Sequence, residues 1–286
     1  MMLNPTIVAI NRLFQSQKIN IEIVNIERMK GTTDGLVFRL ESCKNKKYIL
    51  KYDSPNNIQL VEQLLNTYNE SLLPEILYVH PDKSYFIYYY IDGRTHFDRG
   101  KKKDWLTVLI QEIFNKYIKY QDSDKWGRIE YPCDSWKEFN DISIEEAKDN
   151  IRNNLAEEDY LFVKSLSNTL FEKDKEQGDR FLLHGDTGVH NFVYDQSKLV
   201  GVIDPSPMVG PLIYDFIYAF CSSSDDLNME TLFTAYDQLE QGLIDRKRLI
   251  DEVTIQLYCR IGLSVKHDLD NVTEYLKAWK EWKEFS

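Results

Sequence analysis

Residues 181–193 read Phe-Leu-Leu-His-Gly-Asp-Thr-Gly-Val-His-Asn-Phe-Val, and this stretch decides how the rest of the chain is interpreted. Its apolar start predicts a strand that leads into a polar loop, and the apolar residues after Asn191 predict a second strand. The next predicted strand, 199–203, ends at Asp204. A hairpin of this form brings the oxygen-bearing side chains of Asp186, Asn191 and Asp204 to one point.

Phosphoryl transfer requires groups of this kind. One carboxylate orients the acceptor hydroxyl and takes its proton, while amide and carboxylate oxygens hold Mg²⁺ against the phosphates. We therefore expect Asp186 to be the catalytic base and Asn191 and Asp204 to be metal ligands. The alternative is a polar turn. At average residue frequencies the pattern His-Gly-Asp followed five positions later by Asn arises by chance roughly once in 10⁵ positions, which favours catalysis over a turn.

The same residues carry a resemblance to a known family. His184-Gly185-Asp186 with Asn191 resembles the catalytic loop of the aminoglycoside phosphotransferase and choline kinase superfamily, which is related to the loop of protein kinases. Asp204 resembles the metal-binding aspartate of that family. Asp215 resembles the aspartate that braces the catalytic loop, and His184 the histidine that supports it. The resemblance implies transfer of the γ-phosphate of ATP or GTP, with Mg²⁺ as the cofactor.

The first part of the chain contains weaker nucleotide-site candidates. Thr32 and Thr33 lie in a glycine-containing turn between two predicted strands, which resembles the phosphate-positioning loop of the family. Lys51 ends a predicted strand, where a kinase places the lysine that meets the α- and β-phosphates. On the following predicted helix, Glu62 is the preferred partner for Lys51, and Glu70 is the alternative.

The Tyr-rich segment before Asp92-Gly93 resembles the hinge of the family, in which the backbone of Tyr89 and Ile91 would bind adenine. Short strands precede this point and predicted helices dominate after it. The prediction is an α+β, two-lobed, protein-kinase-like fold. Residues 1–92 would form a small antiparallel nucleotide-binding lobe with one long helix. Residues 93–286 would form a larger, mostly helical lobe with the catalytic loop and the acceptor site.

Composition excludes several other classes of protein. The 286 residues carry a formal net charge of −11, which disfavours nucleic acid as a partner because such binding requires basic surface. No run of about 18 apolar residues predicts a membrane span. The four cysteines are far apart in sequence and form no metal or redox motif. We expect a cytoplasmic protein that is a monomer or a weak dimer.

The acceptor is expected to be a small molecule. Only six residues separate Asp204 from Gly210, too few for the activation segment with which a protein kinase docks a peptide. An acidic second lobe would suit a cationic acceptor such as an aminoglycoside antibiotic. A metabolic acceptor (choline, a sugar or an amino alcohol) and a nucleotide-binding pseudokinase are the alternatives. The acidic candidates for acceptor binding are Asp225, Asp226, Asp268 and Glu274.

Overall fold

The computed structural model describes residues 5–29, 36–69, 72–95, 97–121, 123–171, 178–267 and 271–286. The chain divides into two compact units, Met1–Asp92 (unit 1) and Gly93–Ser286 (unit 2). Its elements confirm the predicted α+β class, because an antiparallel sheet dominates unit 1 and helices dominate unit 2. Among the described residues, no helix combines the length and the apolar character needed to cross a membrane.

Unit 1 is built on a five-stranded antiparallel sheet, in which the fifth strand along the chain lies between the third and the fourth. Its core joins buried side chains of the sheet, including Leu40 and Leu50, to Phe14 of the first helix. Ser54 begins the second helix by accepting a hydrogen bond from the N–H of Asn57 (3.2 Å). The elements are α1 (Ile7–Ser16), β1 (Ile23–Arg28), β2 (Leu36–Ser42), β3 (Lys47–Tyr52), α2 (Pro55–Thr67), β4 (Ile76–Val79) and β5 (Tyr85–Tyr89).

Unit 2 consists of seven helices and five short strands within its described residues. The helices are α3 (Lys102–Glu112), α4 (Trp136–Ile151), α5 (Glu157–Phe171), α6 (Ile213–Cys221), α7 (Met229–Tyr236), α8 (Arg246–Lys266) and α9 (Val272–Phe285). The strands are β6 (Gly127–Arg128), β7 (Phe181–Leu183), β8 (Phe192–Asp195), β9 (Lys198–Val202) and β10 (Met208–Gly210). Helix α8 packs closely on α4, since a Cβ at Gly262 would lie 2.7 Å from the Cα of Ala147.

The catalytic-loop segment lies between two small sheets of unit 2. Strand β7 pairs with β10 in the three-stranded order β6-β10-β7, and β8 pairs with β9 as a hairpin. Strands β6 and β10 are not predicted from the sequence, because runs of two or three residues are too short to show a periodic pattern.

Helix α3 begins earlier than the sequence predicts. The sequence suggests Asp104 as the N-cap of a helix over 105–120, but α3 starts at Lys102 and ends at Glu112. Its N-cap is Lys101, which makes no side-chain capping bond. Asp104 lies inside the first turn, where its negative charge still complements the helix dipole.

The early start of α3 accommodates a fully buried lysine. The Nζ of Lys102 donates to the backbone carbonyls of Phe220 (2.9 Å) and Ser223 (2.8 Å), at the end of α6. Burial lowers the pKa of Lys102 to about 7, although nearby Asp225 acts to raise it. The side chain therefore satisfies carbonyl groups that the end of a helix leaves without intrahelical donors.

We predict that Lys102→Met lowers the free energy of unfolding by about 1–3 kcal/mol, because two buried carbonyls lose their donor. Urea denaturation of the variant and of Lys103→Met, an exposed neighbour on the same helix, measures the difference. The control should stay within about 0.5 kcal/mol of the wild type. Equal effects of the two substitutions would contradict the buried capping role.

Candidate active site

His184 occupies the start of the catalytic loop, directly after β7. Its N–H donates to the Tyr117 hydroxyl (3.0 Å), and its carbonyl accepts from the N–H of Ser206 (2.9 Å). The side chain is completely buried. Burial lowers the pKa of His184 to about 4, against the opposing charges of Asp186 and Asp204. The imidazole is therefore neutral at physiological pH, and its Nδ1 accepts the N–H of Asp186 (3.3 Å).

Gly185 is the residue at which the loop changes direction. Its φ of +76° lies in the left-handed region, and a Cβ would approach the carbonyl oxygen of Ser206 to 2.1 Å. Only glycine fits such a backbone position without strain. The conformation directs the N–H of Gly185 to the carboxylate of Asp215, at 3.2 and 3.3 Å from its two oxygens.

Asp215 projects from the first turn of α6 and is fully buried. Besides Gly185, its carboxylate accepts the Tyr117 hydroxyl at 2.6 Å. Its own carbonyl accepts the hydroxyl of Thr187 at 2.7 Å. Burial raises the pKa of Asp215 to about 7, and the bonds from Tyr117 and Gly185 oppose that rise. The residue thus ties two points of the catalytic loop to one helix.

Asp186 follows Gly185 and is contacted through both carboxylate oxygens. The Tyr218 hydroxyl donates to Oδ1 (3.0 Å), the Asn191 amide donates to Oδ2 (2.9 Å), and His190 Nε2 lies 3.2 Å from Oδ2. Burial acts to raise the pKa of Asp186, but His190 and Tyr218 outweigh it and lower the pKa to about 2. The carboxylate is ionised at neutral pH, as a proton acceptor must be.

Asn191 and Asp204 present the oxygens of a candidate metal site. The Asn191 Nδ2 also donates to the Asp186 carbonyl (3.0 Å). Since both bonds to Asp186 require a donor, the amide nitrogen faces Asp186 and the amide oxygen points away from it. Asp204 follows β9 with a φ of 56° and is exposed. The N–H of Ile203 donates to the carbonyl of Asn191 (2.9 Å), which connects the two segments.

The donor set fits Mg²⁺. Hard oxygen ligands are those that Mg²⁺ prefers, and one or two protein ligands suffice when phosphates and water complete the octahedron. Within the ranges that the structure describes, no three His, Cys, Asp or Glu side chains form a metal cluster. An ion that takes one amide and one carboxylate oxygen from the protein does not require such a cluster.

The residues of unit 1 that are predicted to bind the nucleotide differ in what the structure shows of them. Lys51 lies in β3 opposite Phe86 of β5, and its Nζ is 3.6 Å from Asp53. Glu62 pairs with Lys83, so the predicted pair of Glu62 with Lys51 is wrong. The turn between β4 and β5 presents Lys83 to α2, a contact between distant segments that helical periodicity does not reveal. Thr32 and Thr33, and the alternative Glu70, lie outside the described residues.

Tyr89 is the last residue of β5, and Ile91 follows two positions later. The N–H of Tyr89 donates to the carbonyl of Glu75 (3.0 Å). A contact of Tyr89 with a base would therefore use its carbonyl group rather than its N–H.

The described acidic residues predicted for acceptor binding lie in two segments, the loop after α6 and the helix α9. Asp225, after α6, pairs with Arg99 at 3.1 Å. Asp226 is exposed in the same loop, and Glu274 is exposed in the first turn of α9. Asp268 lies outside the described residues.

Three partners of the site were not identified from the sequence: Tyr117, His190 and Tyr218. Tyr117 precedes the loop by about 70 residues, and no local pattern distinguishes it from the other tyrosines. Tyr218 could have been found, because it stands three residues after Asp215 and shares its helix face. His190 is within the motif itself, next to Asn191.

Part of the chain matches the model of a known protein family. The model of a phosphotransferase enzyme family matches residues 134–249, a range that includes the catalytic loop. No curated protein matches the chain. The family match agrees with the resemblance of the loop around Asp186, and the similar structures below show the fold.

Solved structures of small-molecule kinases share the fold over nearly their full length. A protein described as a putative fructosamine-3-kinase from Thermobifida fusca YX-ER1 has 13% identity and a TM-score of 0.60, with 97% of this chain and 100% of that chain covered. The GDP and kanamycin complex of APH(2″)-IIIa has 15% identity and a TM-score of 0.60, with 97% and 99% covered. The choline kinase LicA from Streptococcus pneumoniae has 14% identity and a TM-score of 0.59, with 96% and 97% covered. They confirm the protein-kinase-like fold.

We predict that Asp215→Ala lowers the free energy of unfolding by about 2–4 kcal/mol, since the buried N–H of Gly185 and hydroxyl of Tyr117 lose their acceptor. Asp215→Asn, which keeps one acceptor oxygen, should lose less. Chemical denaturation of both variants measures the difference. An alanine variant as stable as the wild type would refute the anchoring role.

A second prediction concerns pH. The folded pKa of His184, about 4, lies below its ordinary value of 6.5, so the unfolded chain takes up the extra proton as the pH falls. The stability that His184 contributes is complete above pH 6.5 and is lost progressively toward pH 4. Relative to His184→Gln, the wild type should therefore lose up to about 3 kcal/mol over that range. Denaturation at several pH values tests this, and a stability difference independent of pH would contradict it.

Proposed function

We propose that the protein is a phosphotransferase that moves the γ-phosphate of a nucleoside triphosphate to a hydroxyl group of a small molecule. The observation that carries this proposal is the ionised carboxylate of Asp186, held by Tyr218 and Asn191 in a loop that is itself anchored on Asp215. A polar turn has no need of a buried carboxylate anchor or of an aspartate oriented through both oxygens.

In the proposed reaction, Asp186 accepts a hydrogen bond from the acceptor hydroxyl and takes its proton during transfer. The hydroxyl oxygen forms the new bond to the γ-phosphorus, the bond from that phosphorus to the bridging oxygen breaks, and the nucleoside diphosphate leaves. Tyr218 and the Asn191 amide fix the rotamer of Asp186, so that positioning rather than a covalent intermediate carries the catalysis. A carboxylate accepts several hydrogen bonds, so its existing donors leave capacity for the substrate.

The cofactors of the proposal are Mg²⁺ and either ATP or GTP. Asn191 and Asp204 would hold the metal ion, which neutralises phosphate charge when bound. Lys51 would meet the α- and β-phosphates, and the backbone of Tyr89 and Ile91 would bind the base. Thr32 and Thr33 remain candidates for the phosphate loop. Glu62 is proposed only as a neighbour of these nucleotide-binding residues, because its carboxylate pairs with Lys83.

The acceptor classes expected from the sequence were an aminoglycoside antibiotic and a metabolic hydroxyl compound. Both classes occur among the proteins of similar structure, since one of these structures is a complex with kanamycin and another is named a choline kinase. The intact set of Lys51, Asp186, Asn191 and Asp204 supports a kinase rather than a pseudokinase. A cytoplasmic location agrees with four free cysteines. The oligomeric state, a monomer or a weak dimer, stays a prediction.

Two variants test the assignment in one experiment. Asp186→Asn keeps the shape of the side chain but removes the base, so the transfer rate should fall about 10²–10⁴-fold while binding of the Mg²⁺ nucleotide is retained. Asp204→Asn should lose Mg²⁺-dependent nucleotide affinity in addition to transfer activity. Coupled turnover assays and calorimetric nucleotide titrations provide the readouts. Wild-type turnover in the first variant, or unchanged Mg²⁺-dependent affinity in the second, would overturn the roles.

A further inference from the structure

His190 contacts Asp186, but the proposed reaction gives this histidine no role. Its Nε2 lies 3.2 Å from Oδ2 of Asp186. Because an ionised carboxylate can only accept hydrogen bonds, Nε2 must carry a proton and donate it to Oδ2. The side chain of His190 is 39% exposed, so its ring contributes little to the core. The contact with the carboxylate, rather than packing, accounts for the position of the ring.

Gly188 leaves the space in which the imidazole of His190 lies. A Cβ on Gly188 would be 2.4 Å from Cε1 and 2.6 Å from Nδ1 of His190, and its three nearest atoms among the described residues all belong to this ring. The backbone of Gly188 is extended (φ −94°, ψ 152°), a conformation that any residue adopts. Glycine is therefore required here by the neighbouring ring and not by a turn.

The backbone that carries Gly188 and His190 is held in place. The N–H of Asn191 donates to the carbonyl of Gly188 (2.8 Å), which closes a short turn around His190. The N–H of Val189 donates to the hydroxyl of Ser222 (3.2 Å), at the end of α6. Since these bonds keep the two backbone positions together, a side chain at position 188 would displace the imidazole instead.

The two oxygens of the Asp186 carboxylate carry different numbers of donors. Within the described part of the chain, Oδ2 accepts from His190 and from the amide of Asn191. Oδ1 accepts from the hydroxyl of Tyr218. A carboxylate has about four lone-pair sites, two on each oxygen, so Oδ2 is saturated and Oδ1 keeps one site free.

Tyr218 marks the side of the carboxylate on which this free site lies. It also lines a cavity of about 330 Å³ between α4, α6 and α8. The cavity wall is aromatic at this point, because the ring of Tyr214 lies 5.8 Å from the ring of Tyr218. Asp186 itself is not among the described lining residues, so Tyr218 stands between the carboxylate and the aromatic surface.

We infer that His190 is a positioning residue for Asp186, and that Oδ1 is the oxygen that takes the proton of the acceptor hydroxyl. His190 and Asn191 saturate Oδ2 and fix the plane of the carboxylate, and Gly188 makes room for this arrangement. As the acceptor oxygen bonds to the γ-phosphorus and the nucleoside diphosphate leaves, the proton passes to the free site of Oδ1. The inference rests on the proposed function and adds to it a residue and the reacting atom.

Two substitutions of His190 test the positioning role in the full chain. Release of labelled phosphate from the Mg²⁺ complexes of γ-labelled ATP and GTP, with water as the acceptor, is the assay. The amide nitrogen of glutamine lies near the position of Nε2, whereas that of asparagine lies near Nδ1 and does not reach Asp186. His190→Asn should lower kcat about tenfold or more and leave KM for the nucleotide within about twofold, because the orientation of the base is lost and nucleotide contacts are not.

His190→Gln should recover most of the loss in kcat, because its amide can still donate to Oδ2. Equal kcat values for His190→Asn and His190→Gln, or a loss confined to KM, would overturn the inference. Circular dichroism of each variant shows whether it is folded.

Gly188→Ala tests the same role without a change to the histidine. The new Cβ should push the ring away from Asp186, so kcat should fall as far as in His190→Asn. The double variant should be no slower than either single variant, because both substitutions remove one contact. Gly178→Ala is the matched control and should keep the wild-type kcat, since a Cβ there meets nothing within 4 Å. Additive losses, or a wild-type kcat in Gly188→Ala, would contradict the role.

The position of the ring can be measured without turnover. In the wild type, a nuclear Overhauser contact should join Hα of Gly188 to Hε1 of His190, because a Cβ on Gly188 would lie so close to Cε1. Absence of this contact would overturn the inference even if Gly188→Ala failed to fold.

The proposed function and the inference can fail separately. If the wild type releases no phosphate and phosphorylates neither choline nor kanamycin, the proposed function fails, and a nuclear Overhauser contact in the same protein shows that the placement of His190 does not. If the wild type turns over and Asp186→Asn does not, but His190→Asn equals the wild type, the phosphotransferase stands and the positioning role fails.

Discussion

The catalytic loop depends on one buried contact, in which the carboxylate of Asp215 accepts the N–H of Gly185 and the hydroxyl of Tyr117. Gly185 adopts a backbone conformation that only glycine takes easily, so the loop cannot relax around a lost acceptor without moving the next residue, Asp186. Phe216 and Phe220 bury α6 in the core of unit 2, which gives the anchor a fixed position. The orientation of Asp186, the proposed base, therefore follows from the packing of a helix.

Helix α6 supplies more than the anchor. Tyr218 lies on the same face of the helix as Asp215 and donates to Asp186 while it lines the neighbouring cavity. The backbone of the loop, the rotamer of Asp186 and one wall of the cavity are thus set by a single element. A displacement of α6 would alter all three together. This coupling explains how a short polar loop holds an ionised carboxylate beside an aromatic surface.

The sequence predicts those features that are local along the chain. Asp186 and Asn191 precede the β8–β9 hairpin and Asp204 follows it, so all three belong to one short segment. The helical pattern of residues 246–266 likewise predicts α8, whose N-cap is Asp245. Contacts between distant segments could not be predicted. Tyr117 reaches the loop from another element, and Glu62 pairs with Lys83 rather than Lys51. A net charge reveals nothing about where acidic side chains converge, so the acceptor candidates stay predictions.

The central claim is that the loop holds Asp186 as an ionised proton acceptor. A carbon-13 NMR titration of the aspartate carboxyl carbons, with Asp186 assigned by its absence in Asp186→Asn, tests the claim most directly. The hydrogen bonds and charge around Asp186 predict a pKa of about 2, so its signal should not shift between pH 8 and about pH 4. A carboxyl signal from Asp186 that titrates above about pH 5 would show that burial outweighs its partners, and would contradict the account.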